Sequence, residues 1–200
     1  MKLPRVLLLC LILPGQLIMS SNSAQAAPTY VFPVAGCTVK YGHYHHDYPA
    51  TDIQAKKGCA FVAPISGVVD EIVAKDNWSG KTNLGQDRGG LSVSIVGDDG
   101  VRYYGSHLSK IETTTVVGLR VVAGTKLGEV GSTGSARGTA PHLHFGISWP
   151  TENNIWWVRR GVLYPWKYLD AWKAGTDLSP AGSIKTLKLK MGEIPPKPKK

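Results

Sequence analysis

The six histidines of this chain of 200 residues fall in three places. His43, His45 and His46 form one group, with Asp47 and Asp52 beside it; His107 stands alone; His142 and His144 flank Leu143. The run Leu143-His144-Phe145-Gly146-Ile147 has strand character, and residues two apart on a strand share a face. Both imidazoles of the pair then project to one side while Leu143 and Phe145 face the other. Two imidazoles on one surface make half of a zinc site; alone they fit a solvated strand face equally well. A zinc ion needs three or four N, O or S donors, and the His-rich group ahead of Asp52 supplies the rest. The expected ligand set is two histidines and an aspartate, with water in an open fourth position. That is a catalytic rather than a structural pattern.

Strand-like runs separated by Gly, Pro or Asp clusters must position these groups: Ala60–Ala63, Gly67–Val73, Gly90–Val96, Val101–Gly105, Val116–Val122, Lys126–Val130 and His142–Ser148. Asp98-Asp99-Gly100 between two of them predicts a tight hairpin. The fold class expected is mainly β, a compact antiparallel sandwich or barrel-like sheet with a short C-terminal helix. That helix is predicted near Pro165–Ala174, with Trp166, Leu169 and Trp172 at helical spacing and Gly175 after it. Lys75–Gly89 reads as a long surface loop, and Gly131–Gly138 as a flexible loop near the His142–His144 pair. The tryptophans after this pair either pack the terminal helix or wall a groove, since aromatic faces suit sugars and extended peptides.

Lys2 and Arg5, the apolar run Val6–Leu13 and the small-residue end Ala24-Gln25-Ala26 read as a secretory signal peptide over residues 1–26. The apolar run is too short for a membrane anchor. Export leaves Cys37 and Cys59 in an oxidising compartment, where they are expected to pair. It also argues against nucleic acid as the partner of a chain with net charge +9. The core is expected over 27–150, a helical and aromatic flank over 151–182, and a basic, disordered tail over 183–200.

Three blocks carry a resemblance. His46-Asp47-Tyr48-Pro49-Ala50-Thr51-Asp52-Ile53, then His107-Leu108-Ser109, then Pro141-His142-Leu143-His144-Phe145 occur in the order seen in LytM/lysostaphin-type zinc endopeptidases of peptidoglycan. Ala63-Pro64-Ile65-Ser66-Gly67 and Val130-Gly131-Ser132-Thr133-Gly134 extend the likeness over residues 30–150. The resemblance implies a β fold of the duplicated hybrid motif type, one zinc ion (Zn2+) and cleavage of stem or cross-bridge peptides of peptidoglycan. Carried over, the metal ligands are His46, Asp52 and His144, and the catalytic pair is His107 and His142. The sequence departs from the family's common spacing between the first two ligands, so His45 is the alternative to His46. Tyr104 lies one residue further from His107 than usual, and His43 matches nothing in the pattern.

No H-E-x-x-H helix offers a glutamate base, which leaves His107 and His142 to handle the proton. The function expected is a secreted zinc endopeptidase acting on peptidoglycan peptides, with the basic tail held near anionic wall polymers. A non-catalytic relative that binds wall peptides or activates another hydrolase is the alternative; the complete candidate ligand set favours the enzyme. A metal-storage protein would explain the histidines but not the separate His107 block.

Overall fold

The computed structural model describes residues 29–198. The signal-peptide reading of residues 1–26 lies outside them. Eleven strands are formed among the described residues: β1 (Val34–Ala35), β2 (Lys40–Tyr41), β3 (Thr51–Gln54), β4 (Ala60–Val62), β5 (Gly67–Val73), β6 (Leu91–Gly97), β7 (Arg102–Leu108), β8 (Lys110–Ile111), β9 (Arg120–Val121), β10 (Lys126–Glu129) and β11 (His142–Ser148). They make a four-stranded sheet, β1-β4-β10-β8, and a seven-stranded sheet, β2-β3-β11-β7-β6-β5-β9. Every pairing is antiparallel. The mainly β fold read from strand spacing is therefore the fold observed.

Alternation explains which side chains enter the core. On β11, Leu143, Phe145 and Ile147 are fully buried against Ile53 of β3 and Tyr103 of β7, with Phe61 and Leu127 contributed by the smaller sheet. The opposite face carries His142 and His144 on β11 and Asp52 on β3, with His107 on β7. The hairpin at Asp98-Asp99-Gly100 joins β6 to β7, and Gly100 supplies the positive φ of +74° that this turn needs. Cys37 and Cys59 form a disulfide that ties the segment after β1 to the start of β4.

Three helices follow the sheets: α1 (Trp156–Arg159), α2 (Trp166–Lys173) and α3 (Ala181–Met191). Helix α2 is the one predicted, with Leu169 and Trp172 buried. Helix α3 corrects the reading of a disordered tail from Ser183. Its lysines stay outside, but Ile184 is buried in the core and Leu187 packs against it. The chain beyond α3 lies back on the aromatic flank. Trp149 and Trp157 donate their indole N–H groups to the Glu193 and Pro195 carbonyls, each at 2.9 Å. Composition concealed this, because a few apolar contacts and two indole donors outweigh many solvated lysines.

Candidate functional site

The site lies across the middle of the larger sheet, on the adjacent strands β3, β11 and β7. Asp52 of β3 stands directly opposite His144 of β11. Facing residues on antiparallel strands bring their Cβ atoms within about 5 Å, so the two side chains meet without any special loop. His144 Nδ1 donates to Asp52 Oδ1 at 2.8 Å, and the Tyr48 hydroxyl lies 2.9 Å from His144 Nε2. Burial pushes the Tyr48 phenol above its ordinary range, so it stays protonated and donates to that nitrogen.

The third member is His45. Its Nε2 lies 3.9 Å from Asp52 Oδ2 and its ring 4.9 Å from that of His144. One potential ligand atom from each of His45, Asp52 and His144 lies within 4.8 Å of the others. The structure thus brings His45, the alternative to His46, into this group. The His46 side chain is 75% exposed and faces Asp47 at 3.3 Å, whereas that of His45 is 7% exposed. The two rings lie only 4.2 Å apart, and the segment between β2 and β3 is irregular. Counting from Asp52 therefore could not decide which imidazole turns inward.

Burial and the nearby His144 imidazole lower the pKa of His45 to about 4, so its ring is neutral at physiological pH. Burial acts against ionisation of Asp52, but hydrogen bonding to His144 and the surrounding imidazoles outweigh it. The carboxyl is held well below the usual carboxylate range. A neutral His45 imidazole and an ionised carboxylate beside the His144 ring are donor chemistry that suits a zinc ion.

His107 reaches the site by a different route. On β7, Tyr103 and Gly105 face the core, where a side chain at Gly105 would strike the Phe61 ring. Simple alternation would send His107 to the core as well. Instead the β6–β7 register slips between Leu91 and Val93, leaving Ser106 and His107 opposite a single residue. This is a β-bulge, and His107 adopts a left-handed φ of +64° within it. Its ring then stands 4.9 Å from His142 and 5.8 Å from His144. A bulge and a non-glycine residue at positive φ are features that cluster at functional sites.

The tautomers of this second pair follow from their partners. His107 Nδ1 lies 2.8 Å from the Thr133 carbonyl oxygen, and His142 Nδ1 lies 2.9 Å from that of Ala140. A carbonyl only accepts, so each Nδ1 carries hydrogen. Burial, with the neighbouring imidazoles of His144 and His142, lowers the pKa of His107 to about 3. His107 is therefore neutral, with its Nε2 unprotonated.

All five of these residues line one groove of about 670 Å³. The loop after β5 forms one wall, through Trp78 and Arg88, and the loop before β11 forms another, through Ser135 and Thr139. Asp76 joins the walls by accepting hydrogen bonds from the Gly134 N–H at 2.9 Å and from Arg137 at 2.6 Å. The tryptophans divide between the two expectations: Trp149 and Trp172 are core, and Trp156 is groove wall. Tyr104 also lines the groove, whereas His43 stacks on Trp166 at 4.3 Å. Sequence reasoning gave no role to Tyr48, although it stands inside the His46–Ile53 block.

Solved structures with this architecture include lysostaphin of Staphylococcus simulans, with 28% identity and a TM-score of 0.51. The alignment covers 72% of this chain and 54% of that one. A Ruminococcus gnavus protein provisionally named as the glycyl-glycine endopeptidase LytM has 22% identity and a TM-score of 0.54, with coverage of 74% and 62%. The chain thus spans little more than half the length of these proteins. No curated protein sequence matches it. The model of peptidase family M23 matches residues 46–155. That match takes in Asp52, His107, His142, His144 and more than half of the sequence, and the chain belongs to peptidase family M23.

Proposed function

We propose that this protein is an extracytoplasmic zinc endopeptidase that hydrolyses peptide bonds in peptidoglycan peptides. The observation that carries the reading is the close grouping of His45, Asp52 and His144 beside a second pair of imidazoles on the floor of an open groove. His45, Asp52 and His144 would hold the ion. Bound there, zinc would acidify a water molecule towards a pKa of about 7 and polarise the scissile carbonyl.

The roles of the other groups follow from their hydrogen bonds. His107 and His142 each present Nε2 after committing Nδ1–H to a carbonyl oxygen. Nε2 takes a proton from the attacking water as its oxygen bonds to the carbonyl carbon. The same proton returns to the leaving nitrogen as the C–N bond breaks, giving one amine and one carboxylic acid, which then loses its remaining proton to solvent. The long groove with Trp156 and Tyr104 on its walls suits an extended peptide. The likeness to lysostaphin and the family membership support a wall-peptide substrate. The disulfide fits an oxidising compartment, and no helix among the described residues is long and apolar enough to cross a membrane.

The test is to incubate the purified protein with peptidoglycan and count new amino termini. We expect them to appear, to vanish with a chelator, and to return on adding zinc. The His107→Ala variant should keep its metal and lose about 10²–10⁴-fold in kcat. Cleavage that persists in full after chelation would overturn the reading.

A further inference from the structure

Beside the metal-ligand group lies a guanidinium with no acidic partner. Four other charged groups near it are already satisfied. Arg102, fully buried, and Arg159 share Asp70 and Glu71: Arg102 bonds Glu71 at 2.6 Å and Arg159 bonds Asp70 at 2.7 Å. Two cations and two anions balance there. Arg160, the next residue, makes no ion pair among the described residues, and its Nε is buried without a hydrogen-bond partner. It lines the groove.

The fold holds this cation firmly. Its Cζ lies 4.1 Å from the centre of the Tyr48 ring and 4.5 Å from that of Trp156. Gly146 of β11 lets the Arg160 backbone lie directly on the strand, because a side chain there would strike the Arg160 carbonyl. The Arg160 backbone is thus seated two residues along from His144, and its guanidinium lies against the ring whose hydroxyl touches His144 Nε2. Arg88 adds a second positive charge to the groove and is held only loosely by Asp47, at 3.9 Å. A planar fork of donors, restrained by aromatic faces and lacking an internal counter-ion, is built to receive a carboxylate.

We propose that Arg160 binds a free carboxylate of the peptide substrate close to the scissile bond and makes it a specificity determinant. This rests on the peptidase reading above. Two sources of that carboxylate exist in wall peptides: the chain terminus of the stem and a free carboxylate on a diamino acid.

The experiment compares a cross-linked muropeptide with forms amidated at one or the other carboxylate, by kcat/KM and by calorimetric binding. Wild-type protein should prefer the acid over one amide by about 10- to 100-fold, and the amide that suffers identifies the source. In Arg160→Gln the acid-to-amide ratio should collapse to about one, and Arg160→Lys should keep part of it. The ratio is internal to each variant, so partial unfolding does not mimic the result. Equal use of acid and amides by the wild type, or an unchanged ratio in Arg160→Gln, would overturn the proposal. Acid-selective binding that depends on Arg160, with no cleavage of any form, would sustain it while overturning the peptidase reading.

Discussion

At the scale of single residues, the site divides by how regular the backbone is. His142 and His144 were legible as a pair because they lie on a strand that the sequence shows, where alternation fixes a side chain's face; Asp52, on β3, entered only through its motif. The choice between His45 and His46 was not legible, because both sit in an irregular segment where neither period nor register applies. The two candidate ligands at the start of the motif give a sharp prediction. His45→Ala should lose bound zinc, read as stoichiometry after dialysis. His46→Ala, which removes an exposed ring, should retain it and change thermal stability by less than about 0.5 kcal/mol. The reverse pattern would restore the first assignment.

At the scale of elements, the bulge in β7 and the loop contacts complete the site. Strand spacing gave the runs around β5, β6, β7 and β11, but not the slip that turns His107 out of the core. A bulge depends on the partner strand, which a single segment's pattern does not contain. The groove walls likewise depend on a distant pair, Asp76 and the Gly134–Arg137 turn. Burial raises the pKa of Asp76, but the Gly134 N–H and Arg137 outweigh it and hold the carboxyl below its ordinary range. A depressed carboxyl contributes stability above its unfolded pKa of about 3.9 and loses it as pH falls through the folded value. The Gly134 amide should therefore keep its exchange protection at pH 6 and lose it in acid, after correction for intrinsic rates. Asp76→Asn should reduce that protection by up to about 10-fold at pH 6. Equal protection in both proteins would show that Asp76 does not tie the walls together.

At the scale of the whole molecule, the chain is one β core with its C-terminal segment wrapped back onto an aromatic flank. The sequence suggested that core through turn spacing and the Gly- and Pro-rich junctions. It did not reveal that the basic end folds, because the contacts of α3 come from Trp149, Trp157 and Ile184 together rather than from local composition. The disulfide closes a loop with a sequence separation of 22. By the chain-entropy argument this contributes about 3 kcal/mol. The Cys37→Ser, Cys59→Ser double variant should melt about 6–12 °C lower than the oxidised protein by differential scanning calorimetry. An unchanged Tm would mean that the bridge adds nothing to the fold.

The central claim is that three side chains far apart in sequence surround one zinc ion. Anomalous diffraction at the zinc edge from crystals of the zinc-loaded protein tests it most directly. The account predicts a single strong peak about 2.0–2.2 Å from a nitrogen of His45, a nitrogen of His144 and an oxygen of Asp52. A peak bound by His46 in place of His45, or none between Asp52 and His144, would contradict it.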